Sequence, residues 1–284
     1  MRRAAVLFAL VAAVGCGAEN TGNTADVVVT GTPPPTPYDG PLHLATKETD
    51  ESTSGALLAA SGAAGRALEC DGEISSGGGP DGWSRRDGGD SPEDGLRLYF
   101  EMFTPDVPRS GYRVEREETD RVLYSFDVRG RTKVAVVVAK DQKERPGWGP
   151  ETNASCDPAE LPASLTDSDD REIWTDRTGR RVPTTTVTGY SGAEHCDWQS
   201  AHFLSMGRGA RERQYVRDPD GVISETLLTA PYDGDARMPA AAHDTGYRYG
   251  DWQLWLTDDR ATAYVRTSDG VEAWPMAKEP VACL

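Results

Sequence analysis

The sequence predicts a β-rich α+β fold made of antiparallel meanders with few helices. Short stretches of alternating apolar and polar residues recur in both halves of the chain, and turns rich in Gly and Asp separate them. A continuous apolar run over Val134–Val138 is typical of a central strand that is buried on both faces. A strong helix signal begins at Ser91. We therefore expect sheets that carry a small number of helices.

The first residues are predicted to be a targeting signal and not part of the fold. Arg2 and Arg3 precede the apolar stretch Ala4–Val14, which is too short to span a bilayer as a mature helix. The stretch is followed by Gly15 and Cys16, a pattern that resembles the lipobox of bacterial lipoproteins. Residues 1–15 are therefore predicted to be a lipoprotein signal peptide, with Cys16 lipidated. The alternative is an ordinary secretory signal that is cleaved nearby.

Net charge limits the classes of partner. The chain has 46 acidic and 30 basic residues, and its formal net charge is −16. Loss of Arg2 and Arg3 with the signal would bring the mature chain to about −18. Such a chain is repelled by phosphate backbones, so the sequence argues against nucleic acid as a partner. Since no other apolar run is long enough for a transmembrane helix, the predicted membrane contact is the lipid anchor.

Composition divides the rest of the chain into a tether and two modules. Residues 16–65 are predicted to hold the lipidated Cys16 and a flexible Pro-rich tether, in which Thr32–Pro37 is typical of a polyproline spacer. Residues 66–160 are predicted to form a first α+β module, and residues 161–284 a second, β-rich module. A short apolar stretch over Ala56–Leu68 is a weak helix candidate, because Gly62 and Gly65 interrupt it.

The first module is predicted to contain one helix and a three-stranded meander. Ser91 is suited to an N-cap, Pro92 to the first helical position, and acidic residues follow in the first turn, so we expect a helix over Pro92–Phe103. The predicted strands are Tyr112–Arg116, Arg121–Val128 and Thr132–Ala139.

The second module is predicted to contain hairpins and a last meander. The hairpins turn at Asp176–Gly179 and at Asp218–Gly221. The strands of the last meander are predicted at Trp252–Leu256, Ala261–Val265 and Val271–Trp274.

The cysteines support export and suggest a duplication. Five are present, and lipidation of Cys16 leaves four, which in an oxidising compartment predict two disulfides. Cys70 and Cys156 are 86 residues apart and Cys196 and Cys283 are 87 apart; each pair encloses a Gly-Tyr-Arg sequence before a meander. Two related modules would imply the bridges Cys70–Cys156 and Cys196–Cys283. The Gly-Tyr-Arg copies and the cysteines are offset differently, however, and the two other pairings stay open.

Several runs together resemble a family of uncharacterised exported lipoproteins of high-GC Gram-positive bacteria. The resemblance extends from Arg66 to the C-terminus. It implies export and lipid anchoring, and it implies no activity, ligand or catalytic residue. The runs that carry it are residues 65–71, Gly111–Arg116, Arg121–Ser125, Cys156–Glu160, Glu194–Gln199, Tyr215–Pro219 and Asp244–Tyr247.

No pattern in the sequence predicts a catalytic or metal site. His195 and Cys196 are adjacent, which suits two zinc ligands poorly, and His202 follows at a spacing that predicts no contact. The acidic loops, including Asp167–Asp170, lack the spacing of a calcium loop. We therefore expect no cofactor and no metal. An envelope hydrolase or other enzyme that uses His195 or His243 remains the alternative function.

Three tryptophans of the last meander are the candidate binding residues. Trp252, Trp255 and Trp274 fall on its strands, and by alternation Trp252 and Trp255 lie on opposite faces. An exposed indole on a sheet can stack on a sugar or anchor a protein, whereas the alternative is core packing. The sequence thus favours a non-catalytic binding or scaffold module on the outer face of the cell membrane, with an envelope protein or a glycan as its partner.

Overall fold

The computed structural model describes residue 29 and residues 37–47, 53–78, 83–103, 107–166 and 171–281. The predicted signal peptide, Cys16, the spacer up to residue 36, the acidic loop 167–170 and Cys283 lie outside these residues. Among the described residues, no helix has the length and apolar character needed to cross a membrane. The predicted β-rich α+β class is confirmed, since three antiparallel sheets carry most of the regular structure.

Helices are short, and most of them precede the strands they cover. The α-helices are α1 (Ser54–Ala60), α2 (Gly62–Ala67), α3 (Pro92–Phe103) and α4 (Ala163–Thr166). Short 3₁₀ helices span Pro158–Glu160, Glu194–Cys196, Gly209–Arg211 and Glu225–Leu227.

The strands form one five-stranded and two four-stranded sheets. The first sheet contains β1 (Ile74–Gly78), β2 (Arg113–Glu118), β3 (Arg121–Val128), β4 (Arg131–Gln142) and β5 (Arg145–Cys156), in the order β1-β5-β4-β3-β2. The second contains β6 (Glu172–Ile173), β7 (Val187–Ser191), β8 (His202–Met206) and β9 (Arg213–Arg217). The third contains β10 (His243–Tyr249), β11 (Trp252–Leu256), β12 (Thr262–Arg266) and β13 (Val271–Pro275).

Helix α3 has the predicted bounds because its start is fixed locally. The Asp94 backbone N–H donates to Ser91 Oγ at 3.2 Å, and the Ser91 N–H donates to the Asp94 carboxylate at 3.0 Å. This reciprocal pair satisfies two N–H groups that a helix start otherwise leaves without partners. The apolar face of α3, with Leu96 and Phe100, packs on one face of the first sheet. The prediction of a core role for this face is confirmed.

Strand β4 is buried on both faces, as its continuous apolar run predicts. Val134, Val136 and Val138 face the α3 core, whereas Ala135 and Val137 face the core beneath α2. This second core also contains Leu42, which is 1% exposed. The Tyr38 N–H donates to Glu115 Oε1 at 2.6 Å, so residues 37–47 are held against β2.

The predicted tether therefore ends too late in the chain. Residues 37–47 and helices α1 and α2 belong to the packed unit, because Leu42, Ala63 and Ala64 are all buried. The apolar stretch Ala56–Leu68 forms two helices and not one, since Gly62 has a φ of +56° and breaks the backbone between them.

The two four-stranded sheets pack face to face and are joined along both edges. Thr175 and Arg248 exchange two backbone hydrogen bonds of 2.8 Å, which connect the chain after β6 to β10. On the opposite side the Ala277 N–H donates to the Gln214 carbonyl at 2.8 Å, which connects the chain after β13 to β9. Leu204, Tyr215, Leu254 and Val265 fill the space between the sheets. The eight strands thus form a closed sandwich.

Two predicted features of the second half differ in the structure. The hairpin expected around Asp218–Gly221 is absent from this described segment: the Asp218 carboxylate accepts from Val222 and Ile223 N–H groups, and β9 pairs with β8 instead. The hypothesis of two related modules receives mixed support. Both Gly-Tyr-Arg sequences lie at the first strand of a four-stranded meander, but helices cover the first meander and a sheet covers the second.

Cysteine pairing agrees with the predicted first bridge. Cys70 and Cys156 form a disulfide that ties the start of β1 to the end of β5. Cys196 is also disulfide-bonded, while its predicted partner Cys283 lies outside the described residues. Next to the first bridge, the buried Lys133 ammonium lies 2.5 Å from Glu160 Oε2, and Glu160 also accepts from the Asp71 N–H.

Asp157 joins the five-stranded unit to the closed sandwich. Its carboxylate accepts from the Thr184 N–H at 3.0 Å and from the Thr184 hydroxyl at 2.8 Å, and it caps the 3₁₀ helix through the Ala159 N–H at 2.9 Å. Asp157 is only 2% exposed, so all three donors would lose a buried acceptor if the carboxylate were removed.

We expect Asp157→Ala to lower the free energy of unfolding by about 2 kcal/mol, because a cap and a buried tertiary acceptor are lost together. Urea unfolding of the full chain measures the change. Asp220→Ala, at an exposed turn position, is the matched control and should unfold like the wild type. Equal midpoints for both variants would contradict the assigned role of Asp157.

Candidate functional site

The three predicted binding tryptophans occupy two different environments. Trp252 packs into the core between the sheets together with Trp274, whereas Trp255 lies on the outer face of the third sheet. The predicted opposite orientation of Trp252 and Trp255 is thereby confirmed. Trp274 is fully buried, and its indole N–H donates to Glu272 Oε2 at 2.8 Å. Trp274 is therefore a core residue and cannot contact a ligand at the surface, which corrects the sequence-based prediction.

The outer face of the third sheet carries a small aromatic patch, which we define as Gln253, Trp255, Tyr264 and Arg266. Trp255 and Tyr264 are directly opposite across β11 and β12, and Gln253 and Arg266 form the neighbouring pair. Both aromatic residues are partly exposed and belong to none of the apolar cores. Opposed aromatic side chains on one face lie close enough to act as a single surface.

Arg266 completes the aromatic patch. Its guanidinium carbon lies 4.9 Å from the centre of the Trp255 ring, within the range of a cation–π contact. The Trp255 indole nitrogen is covered by protein and has no hydrogen-bond partner, so the ring contributes its apolar surface and not its N–H. The sequence prediction omitted Tyr264. Alternation along the predicted strand Ala261–Val265 could have identified it, because alternation places Tyr264 on the face away from the core.

Asp244 borders the aromatic patch, and arginines neutralise its charge. Its carboxylate accepts from Arg248 at 2.7 and 2.8 Å and lies 2.9 Å from Arg177 Nη2. The hydrogen bond from Arg248 holds the pKa of Asp244 well below its usual range, with the Gly246 N–H and Arg177 adding to the effect. Asp244 therefore stays ionised and its arginine partners stay occupied.

A second polar group lies inside the closed sandwich, between its two sheets. His202 Nε2 is 3.1 Å from Glu172 Oε2, and both side chains are about nine-tenths buried. The imidazole also contacts Trp252 and Trp274, with ring centres 5.4 Å away in each case. Gly189 makes room for the pair, because a Cβ there would overlap the Glu172 carboxylate. Sequence reasoning missed this pair, since its members are thirty positions apart and strand β7 lies between them.

The buried histidine does not have the arrangement of a hydrolase. A triad base needs a nucleophilic hydroxyl or thiol on one ring nitrogen. Nε2 of His202 faces a carboxylate and has no hydrogen-bond partner. The histidines of the alternative prediction, His195 and His243, are both exposed. His243 Nδ1 has an exposed carboxylate, that of Asp258, at 3.9 Å.

Metal-ligating side chains cluster at one place within the described part of the chain. Cys70, Cys156 and Glu160 lie close enough to share an ion, but the two sulfurs are bonded to each other. A disulfide leaves neither cysteine as the thiolate that binds zinc. This cluster therefore does not fit a metal site.

An ion pair stabilises the core next to Trp274. The Arg217 guanidinium donates to both Glu272 oxygens, at 2.7 and 3.1 Å. Burial raises the pKa of Glu272, but the hydrogen bonds from Arg217 and Trp274 outweigh burial, so the pKa lies below its ordinary value of 4.5. Burial and the nearby Glu272 charge raise the pKa of Tyr232 to about 12.

We expect Glu272→Gln to destabilise the protein by about 2 kcal/mol at pH 7, because Arg217 is left without its anionic partner. A carboxylate with a lowered native pKa stabilises the fold above pH 4.5 and loses this contribution as the pH falls through the native value. The gap between variant and wild type should therefore narrow at pH 3 in urea unfolding. Glu279→Gln, at an exposed position, is the control. A gap of equal size at both pH values would refute the role of the ion pair.

Comparison with known proteins identifies no relative, so the site is interpreted from its own geometry. No protein-family model matches the chain, and no match was found among curated proteins or solved structures. Two of the polar–aromatic groups differ in access: the His202–Glu172 pair is enclosed in the sandwich, and the aromatic patch is partly exposed on its surface. The aromatic patch is the one that a large ligand can reach without opening the core.

Proposed function

We propose that this protein is an exported lipoprotein that binds glycan without catalysis on the outer face of the cell membrane. The observation that carries the proposal is the aromatic patch, in which Trp255 and Tyr264 lie side by side on a solvent-facing sheet. Aromatic faces on a flat sheet suit the apolar faces of pyranose rings, and flanking polar side chains such as Gln253 suit the sugar hydroxyls.

The disulfides support an extracytoplasmic location. The Cys70–Cys156 bridge and the oxidised state of Cys196 are typical of proteins in oxidising compartments and rare in the cytosol. If Cys16 is removed from the count by lipidation, an even number of cysteines, four, is left for disulfides. The proposed anchor then explains the odd number of cysteines.

The small size of the patch favours a glycan over a protein partner. A stable protein interface buries about 800 Å² on each side and has a substantial apolar centre. Among the described residues, the large apolar side chains classed as exposed are Leu58 and Leu227, and neither is part of the aromatic patch. Two rings with polar neighbours match one or two sugar units better than a protein surface.

An envelope enzyme that uses His195 or His243 receives less support. Both residues are exposed and neither is held by a buried carboxylate. A general base is usually oriented by such a partner.

Replacement of Trp255 tests glycan binding. We expect Trp255→Ala to weaken binding of β-1,4-linked N-acetylglucosamine tetramer to the full-length protein by about tenfold, because the stacking surface is lost. Calorimetric titration measures the affinity. Trp255→Phe should retain part of it, and Tyr38→Ala, which removes a partly exposed tyrosine of the other unit, should bind like the wild type. Identical binding by Trp255→Ala and wild type would exclude the aromatic patch as the site.

Lipidation is tested separately by metabolic labelling with a fatty-acid probe in a bacterial host. We expect the wild-type chain to be labelled and to sediment with membranes, whereas Cys16→Ala should lose both properties because the acylated sulfur is absent. Glu279→Gln, at an exposed position outside the predicted signal, is the control and should keep the label. Labelling of Cys16→Ala at the wild-type level would contradict the proposed anchor.

A further inference from the structure

We infer that Arg266 selects glycans whose sugar rings carry carboxylate groups, an inference that rests on the proposed glycan-binding function of the aromatic patch. Arg266 is exposed on β12, and its guanidinium lies over Trp255. Among the described residues no carboxylate is within salt-bridge distance of Arg266, and no hydrogen bond uses the N–H groups of its guanidinium.

Three other arginines near this sheet are already paired. Arg248 and Arg177 share the carboxylate of Asp244, and Arg217 is bound to Glu272. Acidic residues do occur close by, because Asp251 and Asp269 lie in the turns at the end of the sheet, yet neither forms an ion pair with Arg266 within the described ranges. Arg266 therefore keeps its charge and its donors available for a ligand.

The geometry of the guanidinium identifies the ligand group. A guanidinium carries its N–H donors in one plane, where a pair of them matches the two oxygens of a carboxylate. A sugar ring that stacks on the neighbouring Tyr264 would bring a ring substituent close to Arg266.

The overall charge argues against a dense polyanion as the ligand. At a formal net charge of −16 the protein repels closely spaced phosphates over distances of about 8 Å at physiological salt. One carboxylate on every second sugar avoids most of this repulsion while still meeting the single cation of the patch. The favoured class is thus a glycan with isolated carboxylates.

The test compares one glycan in two charge states. The probe is a tetrasaccharide of alternating N-acetylglucosamine and N-acetylmuramic acid with its peptides removed, either with free carboxylates or as the methyl ester. We expect the full-length wild type to bind the acid form about tenfold more tightly than the ester at low salt, and this preference to shrink in 0.5 M NaCl.

Three variants assign the preference to a residue. Arg266→Gln should bind both forms with the affinity that the wild type has for the ester, and Arg266→Lys should keep a smaller preference because it retains charge without the planar donor pair. Arg237→Gln, at an exposed arginine outside the patch, should behave like the wild type. Because position 266 is at the surface, thermal unfolding of Arg266→Gln should match the wild type, which separates loss of recognition from loss of fold.

The outcomes distinguish the two proposals. Equal wild-type affinity for the acid and ester forms, with Trp255→Ala weakening both, would overturn the role of Arg266 and leave glycan binding intact. Unchanged affinity of Trp255→Ala for both forms would overturn glycan binding by the patch and the inference with it. A preference that persists in Arg266→Gln would assign carboxylate recognition to another cation and also overturn the inference.

Discussion

The backbone pairing of Thr175 with Arg248, which joins the second sheet to the third, determines the architecture of the second half of the protein. Its two backbone hydrogen bonds connect sheets that would otherwise end in open strands, and the contact between Ala277 and Gln214 closes the other side. An unpaired edge invites association with other chains, so closure protects the fold. Closure also gives every strand an inner and an outer face. Trp252 and Trp274 lie on the inner face and Trp255 on the outer face.

Charge is distributed unevenly in this acidic molecule. Arg113, Lys133 and Arg217 are buried or half-buried and each contacts one or more carboxylates, so these cations stabilise the fold instead of contacting solvent. Such pairs are costly to break, because the partner left behind is a charge with little access to water. Arg266 differs from them, since an aromatic ring and not a carboxylate is its neighbour. The contrast between these environments is the basis for assigning Arg266 to a ligand.

Sequence patterns predict those elements of the fold that are stabilised by interactions between residues close together in the chain. Helix α3 has the predicted bounds because Ser91 and Asp94 cap each other across three residues. Strand β5 was not predicted, since Pro146, Gly147 and Pro150 are poor strand formers. It forms because β4 supplies a partner along its whole length, and the two prolines lie beyond the part that β1 pairs.

In the candidate site, too, the sequence predicts only what local strand alternation determines. Strand alternation predicts the outward direction of Trp255 but not the burial of Trp274, which results from the sheet packed over it. The pairing of Glu172 with His202 depends on the close approach of β6 to β8 over Gly189, and no sequence spacing encodes this approach. The open charge of Arg266 is likewise visible only when its neighbours are known.

The bridge between Cys70 and Cys156 has a mechanical consequence for a domain held by its N-terminus. Tension on an anchored chain would first reach Val29, which forms an isolated bridge with Tyr112. It would then reach residues 37–47, which donate single hydrogen bonds to Glu115 and Glu118, and after them α1 and α2. Unravelling from that end would halt at Cys70, because the covalent bond passes the load directly to β5 in the interior of the first sheet. Everything after Cys70, including both sheets of the closed sandwich, would stay folded while the leading segment stretched.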